Sequence, residues 1–474
     1  MAVSRDAIVV GAGPNGLAAA IALALAGRSV LVLEAAATIG GGTRTAELTL
    51  PGFRHDVCSA IHPLALASPF LRTLPLQKHG LEFAHPEIPL AHPLDDGTAV
   101  ALHRSIDETA AGLGRDADAY RTLMQPLTGD WEALAEDLLG PLRLPRHPVA
   151  DTRFARAGLR SASGLARARF AGARAQALLA GNAAHSMRPL ESRTTAGFGL
   201  ALMLFGHAVG WPAALGGSQA VSDAMASLLR SLGGEIETHR EVRAMSELHG
   251  ARAVLFDLTP RQILAIAGSE LPPRYRRALG RYRFGPGVFK LDYALDGPVP
   301  WAAPECRSAG TVHLGGSLEE IASAEADVAR GRHAARPYVL VAQQSLFDPS
   351  RAPGDAHTLW AYCHVPNGSA VDVREAIESQ IERFAPGFRD LIRASSAMGP
   401  ADLQAYNANY AGGDINGGAV DPRQLWARPA ARRVPYATPN PRLFVCSSST
   451  PPGGGVHAMC GWHAARAALR GVLR

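Results

Sequence analysis

The sequence predicts an α/β fold in which a Rossmann-type nucleotide-binding domain is interleaved with a second, α+β domain. Two glycine-rich junctions between a strand and a helix support this fold, one over residues 7–45 and one over residues 442–469. The third observation is size, because 474 residues with 47% hydrophobic content can bury the cores of two or three domains.

The first junction starts with the apolar run Ala7–Val10, which is short and β-branched enough to be a buried parallel strand. The loop after it has the spacing G-x-G-x-x-G and comprises Gly11, Gly13, Pro14, Asn15 and Gly16. The first glycine permits a tight turn, the second lets the backbone approach a pyrophosphate, and the third lets the helix pack closely on the strand. The helix then presents unpaired N–H groups and the positive end of its dipole to phosphate. This pattern predicts a dinucleotide site.

A second apolar strand, Arg28–Leu33, ends at Glu34. A carboxylate at the tip of this strand can accept hydrogen bonds from the hydroxyl groups of a ribose. Shortly after the acid comes another glycine cluster, Gly40–Arg44. A domain that binds NAD alone does not need this second cluster.

The segment Gly40-Gly41-Gly42-Thr43-Arg44 resembles the GG(R/T) extension of glutathione-reductase-type FAD proteins, in the branch that contains amine oxidases and phytoene desaturases. In that family the extension lies along the diphosphate and ribityl chain of FAD. The resemblance implies a glutathione-reductase-type FAD-binding domain with FAD as its cofactor. Beyond the glycine loop and Glu34, the cofactor contacts that it implies in this half of the domain are Ala35, Gly41, Gly42, Thr43 and Arg44. It also implies that Ser59–Pro63 lies near the isoalloxazine ring.

The second junction consists of a strand, Arg442–Cys446, a Pro- and Gly-rich turn, and a helix, Ala458–Leu469. A helix N-terminus after a glycine turn is a second place where backbone N–H groups and the helix dipole favour an anion. The junction resembles the closing motif of the same family, whose helix N-terminus faces the flavin. The cofactor contacts implied here are Gly454, Gly455, Val456 and His457. Gly412-Gly413-Asp414 and Gln424-Leu425 further resemble the phytoene-desaturase-related oxidoreductases.

Between the junctions, Gly216–Arg230 predicts a turn and an amphipathic helix, and Glu235–Thr238 and Glu241–Met245 predict strands. These segments resemble the return of the family's chain to the nucleotide domain, where the backbone of a valine meets the adenine. That valine corresponds to Val242. The strand 251–258 then ends at Thr259 and Pro260, a point at which family members pass close to the cofactor.

The second domain is predicted from helical and strand-like segments that separate the nucleotide-binding ones. Amphipathic helices are expected over 106–139 and 152–181, and strands over 285–295, 310–317, 338–344 and 357–365. Thr194–Ser222 contains no Asp, Glu, Lys or Arg but is interrupted by glycines, which predicts a buried helix that walls an apolar cavity. The predicted division is 1–104, 206–284 and 431–474 for the FAD-binding domain, 105–205 for the helical part of the substrate domain, and 285–430 for its sheet.

Lys290 is one of only two lysines and lies in the alternating strand 285–295. Amine oxidases of this superfamily carry a lysine on the corresponding strand, bridged by water to flavin N5, so the resemblance implies Lys290 as the single catalytic candidate. A buried ammonium group there would stabilise negative charge on a reduced flavin. The alternative is a lysine whose stem lies along an exposed strand face.

Composition excludes several other classes of protein. The formal charge of +5 is almost all arginine without interleaved aromatic residues, which is not typical of a nucleic-acid-binding protein. Five scattered cysteines indicate a reducing compartment, hence a cytoplasmic protein, and exclude dithiol–disulfide chemistry beside a flavin. The histidines show no ligand spacing that predicts a metal. The arginines of 152–181 leave peripheral contact with a membrane as an open alternative to a solvated face.

We therefore predict an FAD-dependent oxidoreductase, a dehydrogenase or desaturase that acts on a largely apolar small molecule. Flavin accepts a hydride from a substrate C–H, and the protein positions that carbon and excludes water. Its electron acceptor is not specified by the sequence, with oxygen and a quinone both open. One alternative is an amine or amino-acid oxidase that uses oxygen. Another is a protein that holds FAD without catalysis.

Overall fold

The structure, a computed structural model, describes residues 5–474. Its strands are, in chain order, β1 (Arg5–Val10), β2 (Val30–Leu33), β3 (Thr45–Glu47), β4 (Arg54–Asp56), β5 (Phe83–Ala84), β6 (Ile88–Pro93), β7 (Ala99–Leu102), β8 (Ala213–Ala214), β9 (Glu235–Glu237), β10 (Ala251–Phe256), β11 (Gly287–Leu295), β12 (Ala309–Leu314), β13 (Val339–Ala342), β14 (His357–Val365), β15 (Ile392–Met398) and β16 (Leu443–Val445). Its α-helices are α1 (Pro14–Leu25), α2 (Pro63–Ala67), α3 (Ile106–Ala111), α4 (Ala117–Gly129), α5 (Trp131–Leu138), α6 (Pro148–Gly158), α7 (Ala162–Arg169), α8 (Ala173–Ala184), α9 (Thr195–Val209), α10 (Gln219–Ser231), α11 (Pro260–Ala267), α12 (Pro273–Gly280), α13 (Pro304–Arg307), α14 (Leu318–Ala329), α15 (Arg374–Phe384), α16 (Pro400–Tyr406), α17 (Pro422–Trp426) and α18 (Met459–Arg470).

The nucleotide-binding domain is built on a five-stranded parallel sheet with the order β16-β10-β1-β2-β9. The apolar β1 is central, which explains why its last four residues are buried. Because all five strands are parallel, their carboxyl ends meet at one edge, where ligands of such sheets bind. The strands come from the beginning, middle and end of the chain, so the predicted interleaved α/β architecture is confirmed.

The second sheet has seven strands in the order β15-β11-β14-β13-β12-β6-β7. All of its pairs are antiparallel except β12 with β6. One face packs into a separate apolar core that includes Leu291, Val341 and Ala361. The hairpin β6–β7, which the predicted division assigned to the first FAD-binding segment, belongs to this sheet.

The predicted helix over 106–139 is wrong as one element, since the chain forms α3, α4 and α5 with breaks at 112–116 and at Asp130. Glycines lie at or beside both breaks, where they end helices easily. The predicted helical stretch 152–181 is likewise divided, into α6, α7 and α8. The predicted buried helix within 194–222 is confirmed as α9.

The four predicted strands of the second sheet are confirmed as β11, β12, β13 and β14. The predicted strand Glu241–Met245 is wrong: this segment is irregular and leads into a short 3-10 helix, Met245–Leu248. Its backbone leaves the sheet edge after β9, so it has no neighbouring strand with which to pair. Over residues 5–474, no helix combines the length and the apolar character needed to cross a bilayer.

Candidate functional site

One cavity of about 830 Å³ lies between the two sheets. At one end, which we call the dinucleotide end, it is lined by residues that follow β1, β2, β10 and β16, at the carboxyl edge of the parallel sheet. At the other, the sheet end, its wall includes side chains of β12, β13 and β14. A ligand can therefore reach from the parallel sheet to the second domain within one continuous space.

The glycine loop forms the floor of the dinucleotide end. Gly11 has a φ of +104°, which explains why glycine is needed at the turn after β1. A Cβ on Gly16 would lie 2.0 Å from the carbonyl oxygen of Gly11, so any side chain at residue 16 would push α1 away from the loop. The tight loop brings the N-terminus of α1 to the cavity, and Gly13, Pro14 and Asn15 line it.

Glu34 lies at the tip of β2, as the sequence predicts, and it also holds the surrounding backbone. Its Oε2 accepts a hydrogen bond from the N–H of Ala12 at 2.8 Å, and its Oε1 accepts one from the N–H of Ala36 at 2.9 Å. The guanidinium of Arg44 lies 3.3 Å from Oε1. This carboxylate thus links the first glycine loop to the second glycine cluster.

The second glycine cluster is pressed against the first. A Cβ on Gly41 would lie 3.1 Å from the Cα of Gly13, and a Cβ on Gly42 would lie 2.2 Å from the hydroxyl oxygen of Tyr410. Side chains at residues 41 and 42 would therefore fill the space that the two loops and the tyrosine share. Backbone, rather than side chains, forms this part of the wall.

The C-terminal junction reaches the same cavity end. Helix α18 packs on α1 so closely that a Cβ on Gly461 would lie 1.9 Å from the carbonyl oxygen of Asn15. The Asn15 side chain also donates to the Ser448 hydroxyl at 3.4 Å. Gly455 and Val456 line the cavity beside residues 447–449. The two ends of the described chain thus meet around one space.

The structure brings most of the predicted cofactor residues to this cavity. Those that line it are Gly11, Gly13, Pro14, Asn15, Glu34, Ala35, Gly41, Gly42, Thr43, Arg44, Val242, Thr259, Gly455 and Val456. Four others are set back from it: Gly16, Pro260, Gly454 and His457. His457 is buried among backbone groups, where it accepts from the N–H of Met459 at 3.0 Å, and burial lowers its pKa to about 4. It therefore acts in this structure as a neutral group that shapes the turn.

Sequence reasoning missed Asp257, the residue directly after β10. Its carboxyl group lines the dinucleotide end and accepts a hydrogen bond from the N–H of Gly16 at 3.0 Å. The available signal was its position, because a residue that follows a parallel strand lies at the carboxyl edge of the sheet. Tyr406, Asn409 and Tyr410 were also missed, since nothing in the local sequence of this loop indicates that it covers the glycine clusters.

Strand register explains which side chains reach the sheet end. Thr311, Ala342 and Trp360 are direct neighbours across three strands, and so are His313, Leu340 and Tyr362 in the next row of the same face. From these rows Thr311, Leu340, Trp360 and Tyr362 line the cavity, joined by His185, Met187, Leu202 and Trp211 from the helical layer. The rings of Trp360 and Tyr362 meet edge to face, with centroids 5.0 Å apart.

Lys290 lies on the same face, in register with Tyr362, but it is not part of the cavity wall. Only 2% of its surface is exposed, so the alternative of a lysine on an exposed strand face is wrong. Its Nζ donates to the Asp292 carboxylate and lies 6.0 Å from the ring centroid of Trp360. Burial raises the pKa of Asp292 to about 6, although the Lys290 charge opposes this rise. The ion pair thus lies next to Trp360, a residue of the cavity wall, without lining the cavity itself.

The residues present fit FAD. The dinucleotide end offers a glycine cradle that a Cβ at residues 13, 41 or 42 would obstruct, together with a helix N-terminus for phosphate and Glu34 for ribose. The cavity then continues past the second glycine cluster to the sheet end, where a flavin ring and a substrate have room to meet.

Comparisons with known proteins agree with this geometry. The NAD(P)-binding Rossmann-like domain family matches residues 9–72. The pyridine nucleotide-disulfide oxidoreductase domain-containing protein 2 of Rattus norvegicus is 27% identical over 98% of this chain and 93% of its own length.

Two solved structures resemble this chain over nearly all of its length. An oxidoreductase from Methanosarcina mazei superposes with a TM-score of 0.66 at 15% identity, covering 98% of this chain and 99% of that one. A putrescine oxidase in complex with putrescine superposes with a TM-score of 0.61 at 20% identity, covering 98% of each chain. At these identities the structures establish the fold.

The predicted homology and the predicted fold class are confirmed by these findings, and the cavity contains the residues that would hold the predicted FAD. The chain is homologous over nearly its full length to pyridine nucleotide-disulfide oxidoreductase domain-containing protein 2, and it shares its fold with the solved Methanosarcina mazei oxidoreductase and putrescine oxidase.

Proposed function

We propose that the protein is a dehydrogenase or desaturase that removes a hydride from a neutral, largely apolar small molecule. The observation that carries this proposal is the distribution of charge along the cavity wall. Among residues 5–474, every charged residue in that wall lies at the dinucleotide end: Glu34, Arg44, Arg240, Glu241, Arg243 and Asp257. The sheet end offers mainly aromatic and aliphatic side chains, and its polar groups, Thr311 and His185, are uncharged because burial lowers the pKa of His185 to about 3. A charged substrate would lose its hydration there without gaining a partner.

When bound, FAD supplies the acceptor for the hydride and its electron pair. The protein's part is to hold the cofactor and to exclude water from the reacting carbon. We assign the first task to the residues predicted from the sequence that line the dinucleotide end. The N-terminus of α1 and the glycine loop would hold the diphosphate, Glu34 would hold the ribose, and Val242 would border the adenine. Gly455 and Val456 would border the flavin.

The second task belongs to the sheet end. Leu202, Leu340 and the edge-to-face pair of Trp360 and Tyr362 form a wall that gains free energy when it covers an apolar surface. Burial raises the pKa of the Tyr362 hydroxyl, so this group stays protonated and uncharged at neutral pH. Oxidation of the substrate also releases a proton, which would pass to solvent or to the uncharged imidazole of His185 in the same wall. Lys290 remains a catalytic candidate that would act from beside Trp360.

Amine oxidation is the second candidate, because the apolar faces of Trp360 and Tyr362 would also pack against an amine in its uncharged form. The structural likeness to a putrescine oxidase describes the fold and leaves the substrate open. The same assay therefore has to include both classes of substrate.

The test is anaerobic reduction of the purified flavoprotein, followed as loss of the visible absorbance of the flavin. The panel contains phytoene in detergent and shorter neutral polyenes on one side, and putrescine, cyclohexylamine and long-chain amines on the other. Reduction by members of the neutral set supports the proposal. Reduction by amines alone would refute it in favour of amine oxidation. Reoxidation of the photoreduced protein by oxygen or by a soluble quinone then identifies the acceptor.

Leu340→Lys makes the test specific to the cavity. The substitution puts a cation into the sheet end. We expect reduction of the flavin by substrate to slow by about tenfold or more, which corresponds to about 1.4 kcal/mol, while the FAD content stays near that of the parent. The matched control is Leu144→Lys, because Leu144 is 89% exposed and far from any cavity wall residue in sequence. Equal rates for the two variants would contradict the assignment of the sheet end to substrate.

A further inference from the structure

Asp257 is a carboxyl group placed where a dinucleotide is expected to bring its phosphates. It follows β10 directly and is 7% exposed. Its Oδ2 would lie 2.8 Å from a Cβ on Gly13 and 3.2 Å from a Cβ on Gly16. The backbone of the glycine loop therefore lies in contact with this carboxyl group, and a side chain at residue 13 or 16 would collide with it.

The hydrogen bonds of Asp257 leave one oxygen for a ligand. Oδ2 accepts from the N–H of Gly16, at the start of α1. The amide of Asn409 donates to the main-chain oxygen of Asp257 and not to the carboxyl group. Within the described chain Oδ1 has no hydrogen-bond partner, and the residue lines the cavity. Oδ1 is thus available to whatever occupies the dinucleotide end.

No cation balances this carboxyl group among the described residues that face it. The charged neighbour is Glu34, at the tip of β2, which is itself negative and already paired with Arg44. The other titratable neighbours are the thiols of Cys446 after β16 and Cys460 on α18. Burial raises the pKa of both thiols, so both are neutral at physiological pH. Burial, with a further contribution from Glu34, raises the pKa of Asp257 to about 7.

A diphosphate at the same place adds negative charge within a poorly hydrated site. Two like charges that share such a site cannot both ionise without a large cost, and the group that can take up a proton does so. A protonated carboxyl group changes from acceptor to donor, which suits a phosphate oxygen. The existing hydrogen bond from Gly16 survives this change, because Oδ2 keeps its acceptor capacity when Oδ1 carries the proton.

We propose that Asp257 holds the diphosphate of FAD as a carboxylic acid, so that binding FAD above neutral pH takes up one proton. Asp257 is thereby a cofactor-binding residue in addition to those of the glycine loop. The proposal rests on FAD as the cofactor and is independent of the substrate class, so its failure would leave the proposed function untouched.

The direct test is calorimetric titration of FAD into the 474-residue chain freed of flavin, at pH 8 in two buffers of different ionisation enthalpy. The difference in heat gives the number of protons taken up. With a pKa of about 7 for Asp257 in the free protein, we expect about 0.9 proton per FAD. Uptake near zero would overturn the proposal. This measurement needs no variant and therefore does not depend on a substitution that folds.

The second test is the pH dependence of the dissociation constant for FAD, followed by flavin fluorescence. Between pH 7 and pH 9 the constant is expected to rise about fifty-fold for the parent protein, because binding must then restore the proton. Asp257→Asn keeps an acceptor for Gly16 and cannot ionise, so its dissociation constant should vary by less than about twofold. Glu241→Gln, which removes one negative charge from an exposed residue of the same cavity wall, is the matched control and should keep the slope of the parent. An unchanged slope in Asp257→Asn would overturn the assignment to Asp257.

Discussion

Replacing Gly461 by alanine tests how the two glycine junctions are held together. Gly461 is the third residue of α18 and is buried against α1. Its added Cβ would lie 1.9 Å from the carbonyl oxygen of Asn15 and 2.9 Å from the backbone nitrogen of Ala19. Both atoms belong to the backbone of α1, so no side chain can rotate out of the way, and the two helices must separate by about 1 Å.

The size of the effect follows from two opposing contributions. Alanine in place of glycine inside a helix gains about 1 kcal/mol of helix propensity. Overpacking in a close interface costs about 1–3 kcal/mol, and a clash with backbone lies at the upper end of that range. We expect the free energy of unfolding to fall by about 2 kcal/mol. Because Asn15 lines the dinucleotide end, we also expect FAD affinity to fall by about tenfold or more, which corresponds to about 1.4 kcal/mol.

Denaturant unfolding of the flavin-free protein measures the first effect, and fluorescence titration with FAD measures the second. The matched control is Gly129→Ala, at the end of α4, where a Cβ meets no atom within 4 Å. That substitution should leave FAD affinity unchanged and stabilise the protein by up to about 1 kcal/mol. A Gly461→Ala protein as stable as the parent, with the same affinity for FAD, would refute the close contact between α18 and the first glycine loop.

Two further predictions concern stability. Arg351 is fully buried and pairs with Asp56 at 2.9 Å and with Asp348 at 2.6 Å. Arg351→Leu leaves these two buried carboxylates without their cation. In denaturant titrations the free energy of unfolding should therefore fall by about 3–5 kcal/mol. Its control, Arg393→Leu at an exposed ion pair, should change stability by less than about 0.5 kcal/mol, and equal effects would contradict the reasoning. Burial lowers the pKa of His62, His92 and His457 to about 4 in the folded protein. Because the unfolded histidines bind protons below about pH 6.5, the free energy of unfolding should fall between pH 6.5 and pH 4. The slope should approach about 1.4 kcal/mol per pH unit for each of the three histidines. Unfolding free energies that stay constant from pH 7 to pH 5 would exclude these neutral buried histidines.

The nucleotide-binding half could be predicted from sequence because its function depends on backbone. Gly11 is required by its positive φ, Gly16 by the carbonyl oxygen of Gly11 and Gly13 by the carboxyl group of Asp257, and only glycine satisfies these conditions. The residue types alone therefore reveal the loop. Glu34 could be placed because it ends a strand whose length the apolar run defines.

The cavity's sheet end could not be predicted in the same way. Trp360 and Tyr362 alternate with core residues along β14, and only the pairing of β14 with β13 and β11 determines which of the two faces meets the cavity. Asp257 was missed for a related reason. Its neighbours Gly13 and Gly16 are more than two hundred residues away in the chain, so the closeness that raises its pKa exists only after the parallel sheet has formed.

Hydrogen–deuterium exchange with and without FAD tests most directly whether both glycine junctions enclose one cofactor. Backbone amides of residues 11–16 and of residues 447–456 line or border the same cavity although they lie at opposite ends of the chain. We predict that saturating FAD slows exchange in both segments together, while the exposed residues around Leu144 exchange as before. Protection of the first segment with no change in the second would contradict a shared site.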